Sequence, residues 1–174
     1  MREATVCHLL RGLGQDTEVL LCKRQSLFFN GVWNGPGGKL EPGETIFKCG
    51  CRETKEEVGL RIDPTSMRHY ASVDFYHPSD SGPKFEWRVH FLSAARFKGT
   101  PALINGFSEL GWFKLTDLPY HIMMVDQKEW LPAAIEMFGS SSDKLLQATI
   151  HYGDAGLTTV AKCEIKFVDR PLRY

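Results

Sequence analysis

Glu53, Glu56 and Glu57 close the run "GKLEPGETIFKCGCRETKEEVGL", residues 38–60, which also holds Glu41 and Glu44. At 100° per residue the three fall within roughly 100° of one another on a helix wheel. They lie along one edge of an apolar stripe, Ile46, Phe47, Gly50, Cys51, Thr54 and Val58, about 140° wide, as a core-facing helix requires. Lys48, Arg52 and Lys55 lie further round, toward solvent. Glu53 repels Glu57 at i,i+4 and Glu56 at i,i+3, and all three sit where the helix dipole disfavours anions. Carboxylates crowded in this way call for a cation. The hard divalent ion that accepts carboxylate oxygens, water and substrate phosphates together is Mg²⁺, with Mn²⁺ as the alternative.

These acids must be presented by a rigid element beside a close-fitting loop, and the surrounding sequence supplies both. "FFNGVWNGPGGKLEPGE" carries five glycines and two prolines, a composition that excludes a regular element and suits an ordered loop passing close to a ligand. Helical periodicity starts at Thr45 and ends at Val58, with Gly59 in the position glycine favours after a helix. Before the loop, "ATVCHLL" and "EVLLCKR" flank a Gly- and Asp-containing turn and predict a β-hairpin. After it, "HYASVDFYH", "EWRVHFLSAARF" and "LGWFKL" predict strands. "QKEWLPAAIEMF" predicts a helix with Pro132 in its first turn or at a kink, and two β-like runs around Gly153 to Gly156 predict a closing hairpin. Strands and two helices without βαβ regularity indicate an α+β arrangement, a mixed sheet with helices on its faces.

The run also resembles the Nudix box, G-x5-E-x7-R-E-U-x-E-E-x-G-U with U a bulky aliphatic. Gly38, Glu44, Arg52, Glu53, Glu56, Glu57, Gly59 and Leu60 occupy its fixed positions, and Thr54 stands at the first U. The resemblance implies a Nudix fold, an α/β/α sandwich around a central mixed β-sheet, spanning residues 1–174 as one domain. It implies an enzyme that hydrolyses nucleoside diphosphates linked to another group. Glu53, Glu56 and Glu57 would hold Mg²⁺ with the Gly38 carbonyl, Arg52 would orient the acids, and Glu44 would support the metal site or the loop. The general base is open between a helix glutamate, Glu53 or Glu56, and Glu109 in the later loop "SELGWF".

Outside the box, "GVWNGPGGKLEPGET" and "WFKLTDLPYHIMMVDQKEWLP" resemble the oxidised-purine nucleoside triphosphatases. By that likeness Asn34 and Asp126 would hydrogen-bond the base edge, Phe28 and Met124 would wall the base pocket, and Lys23 and Lys39 would lie near the phosphates. Asp126 is followed by Gln127, an acid beside an amide, which cannot share a proton as a carboxylate pair does and so offers the base a different hydrogen-bond code. The expected reaction is Mg²⁺-dependent cleavage of nucleoside triphosphates, oxidised or ordinary, to the monophosphate and pyrophosphate. Other nucleoside diphosphate derivatives, such as ADP-ribose or a dinucleoside polyphosphate, and a non-catalytic binding role are the alternatives.

Composition narrows the partners. Lys+Arg and Asp+Glu balance at 21 each, so no long-range field gathers a nucleic acid polymer or an anionic membrane, and phosphate binding must be local. No signal-peptide pattern or long apolar run is present, which leads to the expectation of a cytoplasmic protein, monomeric or homodimeric, with a nucleotide as its partner. Five scattered cysteines read as free thiols, and the Cys49-x-Cys51 pair as core packing rather than a zinc site.

Overall fold

The computed structural model describes residues 2–25, 29–136 and 143–170. Its strands are β1 (Glu3–Arg11), β2 (Glu18–Arg24), β3 (Trp33–Asn34), β4 (Arg61–Ile62), β5 (Met67–His77), β6 (Lys84–Ala94), β7 (Phe97–Lys98), β8 (Phe107–Lys114), β9 (Lys144–Tyr152) and β10 (Val160–Asp169). Two helices, α1 (Ile46–Val58) and α2 (Gln127–Ile135), complete the set. The main sheet runs β10-β9-β5-β6-β1-β2-β3, with β8 also on β2. It is mixed: β1 runs parallel to β6 and β5 to β9, and the other pairs are antiparallel. Beside it, β4 and β7 form a two-stranded sheet.

Alternation along the strands feeds two cores. Cys7 and Leu9 of β1, Leu20 and Cys22 of β2 and Leu92 of β6 turn to one face, where they meet Val58 of α1. Val6, Val19, Leu21, Tyr70, Val73 and Phe91 turn to the other and pack with Trp130 and Leu131 of α2. One helix per face makes the α/β/α sandwich. Cys49 is fully buried on α1, although the helix wheel leaves it outside the apolar stripe; the glycine loop covers that side of the helix, and Thr5 Oγ1 donates to its thiol at 3.2 Å.

The first hairpin is joined only at its turn, through Leu10↔Val19 and Arg11↔Glu18. Beyond that the strands part and the glycine loop occupies the gap: Cys7 N donates to Pro36 O and Thr5 N to Gly38 O, each at 2.8 Å. A Cβ on Gly37 would lie 2.1 Å from Thr5 O, so only glycine passes there. Pro132 sits within α2 rather than in its first turn, and the expected extension of this helix to Phe138 lies outside the described residues. Among the described residues no helix is long and apolar enough to cross a membrane.

Candidate active site

The acidic helix is anchored at both ends. The Thr45 side chain accepts from Lys48 N, and Gly59 closes the helix in the left-handed conformation at φ 75°, as capping physics prescribes. The glycine loop then runs along the acidic edge. Gly37 N donates to Glu57 Oε2 at 2.7 Å, and a Cβ on Gly38 would stand 2.3 Å from Glu53 Oε1. Absence of that methyl group is what lets backbone and carboxylate meet.

Arg52 organises the acids. Its Nε and Nη2 donate to the two oxygens of Glu44 at 3.0 and 2.9 Å, and Nη1 reaches Glu53 at 2.7 Å and Glu56 at 3.3 Å. Nη2 also donates to Lys39 O at 3.1 Å, tying helix to loop. The wheel places Arg52 toward solvent, yet three-quarters of its side chain is covered, because the loop folds back over it. The fork from Arg52 holds the Glu44 carboxyl down at about 2, and such bidentate pairs are the strong ones. Glu44→Gln should therefore lower stability by about 1 to 2 kcal/mol and, by freeing Arg52, reduce turnover. Thermal melts and initial rates check both, and an unchanged melting temperature would mean the fork contributes nothing.

Among the described residues no three His, Cys, Asp or Glu side chains converge on one point at ligating distance. Glu53 and Glu56 bend toward Arg52 instead, since carboxylates alone repel and the guanidinium is the nearest positive charge. The donor set nevertheless suits a hard cation: three carboxylates on one helix edge and the Gly38 carbonyl beside them. Glu57 carries the clearest sign. Burial pushes its carboxyl up to about 7 against the opposing Gly37 N–H and Arg24 charge, with Glu53 and Glu56 adding repulsion, the mark of negative charge only partly compensated.

A cavity of about 310 Å³ opens against the loop. Arg24, Gly37, Gly38 and Lys39 line it toward the acids, and Phe75, Trp87, Phe91, Met124 and Tyr152 are among its apolar walls. Asn34, Asp126 and Gln127, all buried, supply polar groups. The Asn34 Oδ1 accepts from Gly35 N at 2.9 Å and from Gln127 Nε2 at 3.2 Å. These bonds orient both amides and leave Gln127 Oε1 buried without a partner. Asp126 takes one donor on each oxygen, Trp130 Nε1 at 2.9 Å and Tyr152 Oη at 2.7 Å. Burial raises its pKa and these donors oppose the rise.

Of the residues singled out in the sequence, the structure thus gathers Asn34, Gly38, Lys39, Met124 and Asp126 on the cavity and Glu44, Arg52, Glu53, Glu56 and Glu57 beside it. Lys23 and Glu109 are not among its lining residues; they pair with each other across β2 and β8 at 2.6 Å. Phe28 lies outside the described residues.

The NUDIX domain profile matches residues 1–134. The chain belongs to the Nudix family. It is a hydrolase acting on phosphoric anhydride bonds, in a family whose members bind nucleotide substrates and generally use divalent metal ions. This Nudix chain is 33% identical over 122 residues to the mouse "Oxidized purine nucleoside triphosphate hydrolase", covering 70% of this chain and 74% of the relative. It is 39% identical over 121 residues to the human "8-oxo-dGDP phosphatase NUDT18", covering 66% of this chain and 34% of that longer protein. Among solved structures, the MutT protein of Bacillus halodurans superposes with a TM-score of 0.75 at 23% identity, over 95% of this chain and 98% of that one. The MutT Nudix hydrolase of Burkholderia pseudomallei gives 0.62 at 27% identity, over 79% and 97%.

Several cavity residues of this Nudix hydrolase escaped the sequence reading: Arg24, Phe75, Trp87, Gln127 in its paired amide role, Tyr152 and Leu157. Alternation along β2 was the available signal for Arg24, because adjacent residues of a strand point to opposite faces and only one of Lys23 and Arg24 can face the acids. The aromatic residues come from strands β5, β6 and β9, and no local pattern joins them.

Proposed function

We propose that this Nudix hydrolase is a Mg²⁺-dependent pyrophosphohydrolase of nucleoside triphosphates, oxidised or non-standard ones included, releasing the monophosphate and pyrophosphate. The observation that carries the reading is one cavity that is basic at the loop end, through Arg24 and Lys39 beside the acidic helix edge, and aromatic with three buried polar side chains elsewhere. A phosphate chain suits the first part and a base the second. The name borne by the mouse relative supports the same substrate class.

In this reading Glu53, Glu56 and Glu57, with the Gly38 carbonyl, hold the cation. When bound, it would neutralise charge developing on the phosphate oxygens and favour in-line attack by water. Arg24 and Lys39 draw the phosphate chain along the loop, and Arg52 keeps the glutamates in place through Glu44. Glu56, with 57% of its side chain exposed and the longest of the Arg52 contacts to a carboxylate, at 3.3 Å, takes the proton from the attacking water, whereas Glu109 is paired more closely with Lys23, at 2.6 Å. At the other end, Gln127 Oε1 accepts an N–H of the base, which relieves an otherwise unsatisfied buried oxygen. Phe75, Trp87 and Met124 cover its faces, and Asp126 holds Tyr152 and Trp130 behind them. Such a protein would work as a pool enzyme in the cytoplasm, with no polymer or membrane partner.

A substrate panel tests this. With Mg²⁺ present and products resolved by chromatography, nucleoside triphosphates should yield monophosphate and pyrophosphate, chelation should stop the reaction, and Mg²⁺ or Mn²⁺ should restore it. Cleavage of ADP-ribose or a dinucleoside polyphosphate with no triphosphate turned over would sink the proposal.

A further inference from the structure

The turn between β9 and β10 places one residue in an unfavourable conformation beside the cavity. Among the described residues Leu157 is the one non-glycine residue with positive φ, at 57°. Leucine occupies this left-handed region only under constraint, because its Cβ crowds the backbone. Gly156, next to it, would take the conformation freely, yet the strain falls on the leucine. Strain of this kind persists where the surroundings over-determine it, and it gathers at ligand sites.

The constraint comes from Asp154. Its carboxylate accepts from Thr158 N at 3.1 Å and Thr159 N at 2.8 Å, and from both threonine hydroxyls, at 3.1 and 2.5 Å. Leu157 N donates to Asp154 O at 3.2 Å, and Gly153 N to Thr159 O closes the turn. Bonds on both sides of Leu157 hold its backbone in place. Its side chain packs on the α2-side core and lines the cavity that also touches Tyr152, Met124 and Gln127.

We propose that the Asp154 turn exists to press Leu157 into the cavity as a wall against the base, so that this residue sets how tightly the nucleobase is held. The inference rests on the nucleotide reading above and adds to it a specificity-determining residue outside the span matched by the family profile. Leu157 meets the base and never the phosphates, so its loss acts on binding shared by ground and transition states, which moves KM and leaves kcat.

The test compares each nucleoside triphosphate with the abasic deoxyribose triphosphate that lacks a base. Leu157→Ala should raise KM for the nucleotide about tenfold, the scale of lost apolar contact in a pocket, with kcat within about twofold and the abasic compound unaffected. Asp154→Ala, which releases the turn and removes no cavity wall, should move KM in the same direction. Leu157→Gly should melt no lower than Leu157→Ala, because glycine accepts the left-handed conformation. Equal effects on nucleotide and abasic compound, or no effect on either, would overturn the proposal. Binding of a purine nucleoside monophosphate keeps the two readings apart. No triphosphate turnover with monophosphate binding weakened in Leu157→Ala overturns the triphosphatase reading and leaves the wall standing. Triphosphate turnover with monophosphate binding unchanged in that variant overturns the wall alone.

Discussion

Replacing Glu56 and Glu57 together with glutamine should reduce kcat by roughly 10³-fold or more, since stabilising developing charge is the main contribution such a site makes to phosphoryl transfer. The same double variant should be as stable as the parent in chelator, or more stable by about 1 kcal/mol. The reason lies in the apo geometry. Burial outweighs what favours the Glu57 carboxylate, one backbone donor at 2.7 Å and the charge of Arg24, and two like charges add to the penalty, which a neutral amide of the same shape removes. Glu56 is exposed and contributes little to folding. Activity and stability therefore move in opposite directions, the trade-off expected of a site strained for function. Rates with Mg²⁺ and melts in chelator measure the two; full activity in the double variant would remove these acids from the chemistry.

Acidification below about pH 6.5 should destabilise the fold through two buried histidines. His8 and His69 are both buried, and burial lowers their pKa to about 4 and about 3. The unfolded chain takes up a proton on each near pH 6.5, whereas the native state does not until near pH 4 or below. Stability is thus fully present above about pH 6.5, falls as pH drops through the interval between the two values, and levels off below the native pKa. Each histidine contributes on the order of 3 to 5 kcal/mol at most to that fall, and the raised carboxyls of Glu57 and Asp126, which gain protons in the folded chain first, offset part of it. Their surroundings agree: His8 Nδ1 lies 2.6 Å from the Tyr70 hydroxyl while Nε2 is buried without a partner. His69 Nε2 sits 2.9 Å from Ser72 Oγ and 3.4 Å from His90 Nδ1, where a second positive charge is unwelcome. Denaturant midpoints should fall from pH 7.5 to pH 5, and His8→Asn and His69→Asn should each flatten the slope by up to one proton. An unchanged pH slope in both histidine variants would contradict the neutral burial of the two rings.

The helix and its acids were legible because a single element carries them. Periodicity of 3.6 residues, the Thr45 cap, the Gly59 stop and the clash of like charges are all local, and no distant residue is needed to read them. Mixed strands with helices on both faces followed from element order in the same way. What could not be read was the parting of β1 from β2 by the glycine loop, since "ATVCHLL" and "EVLLCKR" look like ordinary hairpin arms whether or not their middles pair. Core packing of Cys49 was expected from its type, but the helix wheel left it outside the apolar stripe, because the loop that buries it is ten residues away in sequence and unpatterned.

The sequence alone determined that acids would crowd one helix edge beside a loop too rich in glycine to be regular, because charge spacing and backbone freedom are properties of neighbouring residues. Tertiary structure alone decided which side chains share the cavity. Strand pairing brings Phe75, Trp87 and Tyr152 together, the hydrogen bond that fixes Gln127 against Asn34 joins residues 93 positions apart, and Lys23 and Glu109 pair with each other away from the cavity lining. Those choices depend on loop closure and packing across the whole chain, which no local pattern encodes.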